Sequence, residues 1–178
     1  PGRFTRACDQ ANVHGMARSE SIDGAASVRP RAAGREPRRS ADSSAMGVMD
    51  DVNKAVTMDF KSAGNCIYVV GVTKNELGGS AYLETHGRDG ASVPTVDPKT
   101  ARLTMEKLSR AMSKGLVRAC HDCSEGGIGV AVAEMAFAGG LGAVINLRAV
   151  PLAGKITRDD AVLFSESNSR FMVEVAPS

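Results

Sequence analysis

At 178 residues the chain is long enough for one domain with a real core, and its formal charge of +2 is too small to argue for a nucleic-acid partner. Aromatic residues make up 4% and tryptophan is absent, so the chain lacks the side chains that build base-stacking platforms. No apolar run approaches the roughly 20 residues of a membrane span, and no continuous apolar stretch at the N-terminus marks a secretory signal. Cys8, Cys66, Cys120 and Cys123 are irregularly spaced, unlike a disulfide framework. The expected setting is soluble, reducing and cytoplasmic, with neither membrane nor nucleic acid as partner.

Composition divides the chain near residue 43. The first 40 residues hold eight of the fifteen arginines and no lysine, whereas all seven lysines lie at Lys54 or later. The stretch ASVRPRAAGREPRRSADSS has no apolar period and cannot bury enough surface to offset its ordering entropy. Residues 1–43 are therefore expected to be disordered, or foreign to the domain as an out-of-frame segment would be. A nucleic-acid-binding arm is disfavoured because no aromatics are interleaved with the arginines. Residues 44–178 form the expected domain.

In chain order, CIYVVGVT (66–73) is a β-branched apolar run and predicts a buried strand. NELGGSAYLE predicts a glycine turn entering a short helix, and GRDGASVPT an exposed loop. Asp97 is a good N-cap and Pro98 suits the first helical position, so a helix follows, with Ala101, Met105, Leu108 and Met112 on one face. Lys114-Gly115 reads as its stop. LVRAC predicts a short strand. Ser124 is expected to cap a second helix running to about Ala138 and ending at Gly139-Gly140; this helix is apolar almost all round and so should be buried. GAVINLRAV and SRFMVEV predict two more strands. The fold class is α/β or α+β, a mixed sheet with packed helices. No helix follows the last strand, so the domain is expected to be incomplete.

The stretch HDCSEGGIG (121–129) places an acid, a hydroxyl and paired glycines at a strand-to-helix junction. Unpaired N–H groups at a helix N-terminus attract anions. Ser124, Gly126 and Gly127 are therefore candidate phosphate-binding residues, and Asp122 a candidate Mg²⁺ ligand. A second cluster, Glu76-Leu-Gly78-Gly79-Ser80, also follows a strand and could converge with the first on one ligand. Both clusters can equally be read as caps and tight turns that make room for close packing. Cys120-His-Asp-Cys123 lacks the second ligand pair of a structural zinc site. His14 and His86 stand alone. FSESNSRF (164–171) reads as a turn before an edge strand, with an Arg–Glu pair. No catalytic grouping is visible.

MDDVNKAVTMDFK, NELGGSAY, HDCSEGGIGVAVAEMAFAGGLGA and DDAVLFSESNSRFMVEV, in this order and spacing, resemble the synthetase component of phosphoribosylformylglycinamidine synthase, over about residues 44–175. That enzyme belongs to the aminoimidazole ribonucleotide synthetase superfamily. The resemblance implies an ATP-dependent C–N ligase of purine biosynthesis that converts formylglycinamide ribonucleotide to its amidine. It implies ATP and Mg²⁺ as cofactors, and a glutaminase subunit and a small accessory subunit as partners. It implies a C-terminal lobe only, with a strand around SAMGVMDD, and it places the family's catalytic His and main ATP-binding acids outside this chain. Asp122 and Ser124 match positions that in the long form of the enzyme contact an auxiliary nucleotide and its Mg²⁺. The isolated chain is expected to be inactive, and a truncated or frameshifted polypeptide without independent function is the alternative.

Overall fold

The computed structural model describes residues 48–88 and 90–177, together with the backbone of a two-residue strand, β1 (His14–Gly15). The expectations for the Arg-rich segment otherwise lie outside the described residues. Along the chain follow β2 (Cys66–Val70), α1 (Ala81–Thr85), α2 (Pro98–Ser113), β3 (Ala119–Asp122), α3 (Gly127–Gly139), β4 (Leu141–Gly142), α4 (Asp159–Phe164) and β5 (Phe171–Val175). The three longer strands make one sheet in the order β2-β5-β3, and β5 is antiparallel to both neighbours. The other pairings are a two-residue contact of β1 with β4 and one parallel bridge between Thr73 and Leu152.

Alternation along the strands assigns the two faces of the sheet. Ile67, Val69, Ala119 and Met172 point one way and pack with Ile128, Ala131 and Met135 of α3 and Val162 of α4. Val70, Cys120, Phe171, Val173 and Val175 point the other way, toward Leu108, Ala111 and Met112 of α2. Ile128 and Met135 are fully buried, each side chain contributing about 1.5–3 kcal/mol of burial. Gly139 lets α3 pass close to the chain before β2, because a Cβ there would meet the Phe60 carbonyl oxygen at 2.4 Å. At the end of β5, the fully buried Glu174 carboxylate accepts from the Lys61 and Ser62 N–H groups and from Asn65 Nδ2, at 2.6–3.1 Å.

The fold class is the expected one, a sheet with packed helices. α2 starts and stops where the sequence places it: Asp97 accepts from the Lys99 N–H at 3.2 Å and Gly115 turns out at φ +69°. Several elements differ. LVRAC contributes a strand only from Ala119; the Arg118 N–H donates to the Glu174 carbonyl out of step with the Ala119–Glu174 pairing, and the regular ladder stops there. Of GAVINLRAV only Gly142 lies in a strand; Ala143, Ile145 and Leu147 are half-buried against the core, and among the described residues no strand pairs with the segment beyond Gly142. Asn146 then caps a 3₁₀ turn at Leu147–Ala149. SRFMVEV is the central strand, not an edge. α3 is buried on one face only; Phe137 is 78% exposed. Val48–Asp51 form no strand and lead into a 3₁₀ turn at Val52–Lys54, while residues 44–47 lie outside the described set.

Candidate functional site

β3 ends at Asp122, and Ser124 lies in the short link between it and α3. The Ser124 hydroxyl donates to Asp122 Oδ2. Asp122 Oδ1 lies 3.2 Å from His121 Nδ1, and the other ring nitrogen lies 2.9 Å from Glu134 Oε2 on α3. The Ser124 hydroxyl, with a smaller contribution from His121, holds the Asp122 carboxyl below the usual carboxylate range. Asp122 is thus ionised at neutral pH. It borders a cleft of about 370 Å³ together with Ser124, Glu166, Ser169, Phe171 and Met105. Met105 was expected on the core face of α2; it is half exposed at this cleft instead.

Ser124 does not cap α3. The helix begins three residues later, with Gly126 at the N-cap in the left-handed region (φ +75°) and no side-chain cap bond. Gly127 also has a positive φ, +60°. Its N–H donates to the Ser124 carbonyl at 3.1 Å, and a Cβ on it would meet the Ser165 carbonyl oxygen at 2.3 Å. At this position glycine is required by contact with the chain leaving α4.

The Glu76–Ser80 cluster is arranged similarly. The Gly78 N–H donates to the Ser92 carbonyl at 2.8 Å, and a Cβ there would collide with Ala91 and Ser92. Gly79 turns at φ +74° in open space. Ser80, almost wholly buried, caps α1 by accepting from the Leu83 N–H at 3.3 Å, and its own N–H donates to the Leu77 carbonyl. Glu76 is buried as well: its Oε1 accepts from the Thr95 N–H and hydroxyl, and its Oε2 has no hydrogen-bond partner among the described residues.

The two clusters do come together, through a residue that the sequence reading left in a turn. Glu166 Oε1 accepts from the Gly126 N–H at 2.9 Å and from the Ala81 N–H at 3.0 Å. The flanking serines hold the same segment in place. Ser165 Oγ accepts from the Glu76 N–H and donates to the Lys74 carbonyl; Ser167 Oγ accepts from the Lys74 N–H. The expected Arg–Glu pair is not formed. Arg170 is 1% exposed and donates instead to the Ser167 carbonyl (2.9 Å), the Thr73 hydroxyl (2.8 Å) and the Ser165 carbonyl. The signal for this cluster was in FSESNSRF: three serines, an acid, an asparagine and an arginine between two phenylalanines.

Among the described residues no three His, Cys, Asp or Glu side chains converge as a metal site. Asp122 would therefore supply one ligand of a Mg²⁺ ion completed by phosphate oxygens and water, an arrangement usual for that ion. An ionised carboxylate that is 59% exposed beside a hydroxyl at an open cleft fits that role. Burial pushes the Cys120 and Cys123 thiols up to about 11, so neither is a thiolate at neutral pH. No described helix is long and apolar enough to cross a membrane.

Residues 62–178 match the family model described as AIR synthase related protein, C-terminal domain. Among curated proteins, the chain is 39% identical over 133 residues to the phosphoribosylformylglycinamidine synthase subunit PurL of Alkaliphilus metalliredigens, covering 74% of this chain and 17% of that one. It is 44% identical over 125 residues to the PurL of Methanothermobacter marburgensis, covering 68% and 17%. Among solved structures, Thermotoga maritima PurL complexed with FGAR matches with a TM-score of 0.62 at 26% identity, over 71% of this chain and 22% of that one. The same protein complexed with ATP matches with a TM-score of 0.58, over 71% and 20%. The chain spans about 17% of the length of the curated relatives it matches.

Proposed function

The chain belongs to the family of the AIR synthase related protein C-terminal domain, and from that membership we propose that it is one lobe of a PurL-type synthase. The complete reaction is the ATP-dependent conversion of formylglycinamide ribonucleotide to its amidine, with ammonia delivered by a glutaminase subunit and a small accessory subunit in the assembly. The lobe's own contribution is a nucleotide-binding surface. Asp122 and Ser124 face the ligand, while Gly78, Gly79, Ser80, Gly126 and Gly127 shape the wall behind them. Asp122 would hold Mg²⁺, which would neutralise phosphate oxygens beside the protein's own carboxylates.

The observation that carries this reading is the Asp122–Ser124 pair at the mouth of the 370 Å³ cleft. Asp122 and Glu166 both border it, and the Arg170 guanidinium that also lines it is 1% exposed and committed to internal acceptors, so a bare phosphate would meet the exposed carboxylate charge, whereas a magnesium nucleotide would not. The cleft should therefore bind Mg·ATP and reject ATP in the presence of a chelator. Isothermal titration of the full chain tests this. Asp122→Ala should weaken Mg·ATP binding at least tenfold while the melting temperature falls by no more than a few degrees. Equal loss of affinity and of fold would make Asp122 a structural acceptor only. With formylglycinamide ribonucleotide, ATP and glutamine, the isolated chain should form no amidine; turnover would overturn that part of the proposal.

A further inference from the structure

Among the described residues, the Glu166 side chain links the two glycine clusters. A single oxygen of its carboxylate accepts from the N–H of Ala81, directly after Gly78-Gly79-Ser80, and from the N–H of Gly126, at the start of α3. The two donors are at nearly equal distances, 3.0 and 2.9 Å, and come from elements 45 residues apart in sequence. Glu166 also lines the cleft that Asp122 and Ser124 border.

Its own placement is over-determined. The Glu166 N–H donates to the Glu76 carbonyl at 3.3 Å, Ser165 and Ser167 on either side are bonded to Lys74 and Glu76, and the buried Arg170 clamps the carbonyls of both serines. Few conformations are left to the segment, so the carboxylate is delivered to the two amides by a rigid support. Hydrogen bonds from N–H groups to an ionised acceptor are about twice as strong as neutral ones.

We infer that Glu166 is a positioning residue, a clasp that binds the two glycine turns into one ligand-binding unit without itself contacting the ligand. This rests on the nucleotide reading above for what the unit binds, but not for the clasp. If the clasp is released, the α1 turn and the α3 entry move independently, and the Asp122–Ser124 pair at the foot of α3 loses its fixed position relative to the opposite wall. The alternative arrangement is a plug, in which Glu166 occupies amides that a phosphate would otherwise use. The two differ in sign, since removing a plug tightens phosphate binding and removing a clasp loosens it.

The test uses the full chain and two substitutions. Glu166→Gln keeps a carbonyl oxygen in position for both N–H groups, whereas Glu166→Ala removes it. Hydrogen exchange at Ala81 and Gly126 reads the clasp directly, and calorimetry with Mg·ATP reads the site. The wild type should protect both amides. Glu166→Gln should keep both protected and bind Mg·ATP within about threefold of wild type. Glu166→Ala should speed exchange at both amides together by roughly tenfold or more, as expected for a lost hydrogen bond in an otherwise folded protein, and weaken Mg·ATP binding about tenfold. Loss of protection at one amide only, unchanged affinity in Glu166→Ala, or tighter binding in that variant would each overturn the proposal. If the wild type binds no Mg·ATP, the nucleotide reading fails, and paired loss of protection in Glu166→Ala still upholds the clasp.

Discussion

Gly127→Ala separates a glycine needed by the protein from one needed by a ligand. The added Cβ would stand 2.3 Å from the Ser165 carbonyl oxygen and 2.7 Å from that of Leu163. Reaching an ordinary contact means parting the first turn of α3 from the end of α4 by about 1 Å, and overpacking of this kind costs about 1–3 kcal/mol. The backbone adds to that. At φ +60° an alanine pays left-handed strain of about 1 kcal/mol, and the usual advantage of alanine in a helix does not apply where the backbone is not helical. The total is about 2–4 kcal/mol, or roughly 8–16 °C in melting temperature for a domain of this size. Gly79→Ala is the control: its φ is +74° but nothing lies within 4 Å of the new Cβ, so only the strain of about 1 kcal/mol remains. Thermal unfolding of both variants measures the difference. If Gly127→Ala costs no more than Gly79→Ala, the packing account of Gly127 is wrong. If in addition Mg·ATP binding disappears, close approach of a ligand is the better explanation.

Arg170→Ala should destabilise the chain by about 3 kcal/mol or more, because it leaves two buried carbonyls and the Thr73 hydroxyl without their donor; Arg170→Lys should recover only part of this, since an ammonium cannot reproduce the planar fork, and chemical denaturation of both variants checks the order. Asp160 pairs with Arg158 and accepts from the Tyr82 hydroxyl, and its carboxyl is held at about 2, below its ordinary 3.8. A depressed carboxyl stabilises the fold above the unfolded value and loses that contribution as pH falls, so Asp160→Asn should flatten the decline in melting temperature between about pH 4 and pH 2. No change in that limb would show the pair to be energetically silent.

Local signals were legible where one short stretch determines the outcome. Asp97-Pro98 and Gly115 frame α2 because capping and left-handed termination need only neighbouring residues. CIYVV declares a buried strand by composition alone. What could not be read depends on partners. The strand in LVRAC is shortened where the Arg118 N–H bonds to Glu174, 56 residues away, out of step with the ladder. GAVINLRAV has strand composition, yet among the described residues no strand pairs with it beyond Gly142. SEGG resembles a capped helix start, but Gly127 takes a left-handed angle where a Cβ would meet the Ser165 carbonyl oxygen, so the helix begins at Gly127 and Ser124 bonds to Asp122 instead. The candidate site was half legible: Asp122 and Ser124 do share a cleft, and the two glycine clusters do meet. The residue that joins them lay in FSESNSRF, where spacing alone gives no reason to prefer a hydrogen bond to Gly126 over a surface ion pair with Arg170.

The position of Glu166 changes what a glycine turn in front of a helix can be taken to mean. Both turns present N–H groups in the manner of an anion cradle, and the Gly126 and Ala81 amides do bind an anionic oxygen, but that oxygen belongs to the protein. The Gly127 and Gly78 amides are likewise held by internal carbonyls. With these four amides committed, the cradle has fewer donors left for a phosphate, and the polar side chains at the cleft are Asp122, Ser124, Glu166, Asn168, Ser169 and the buried Arg170. On the reading proposed above, the exposed Asp122 carboxylate would repel a free phosphate and favour one that arrives with a cation between them. The same low-lying carboxyl that makes Asp122 a poor neighbour for a bare phosphate makes it a good ligand for Mg²⁺, because no proton must leave first. On the proposed nucleotide reading, Glu166 and Asp122 would together set a metal dependence: one occupies two of the amides, and the other supplies a carboxylate that a cation would bridge to the nucleotide.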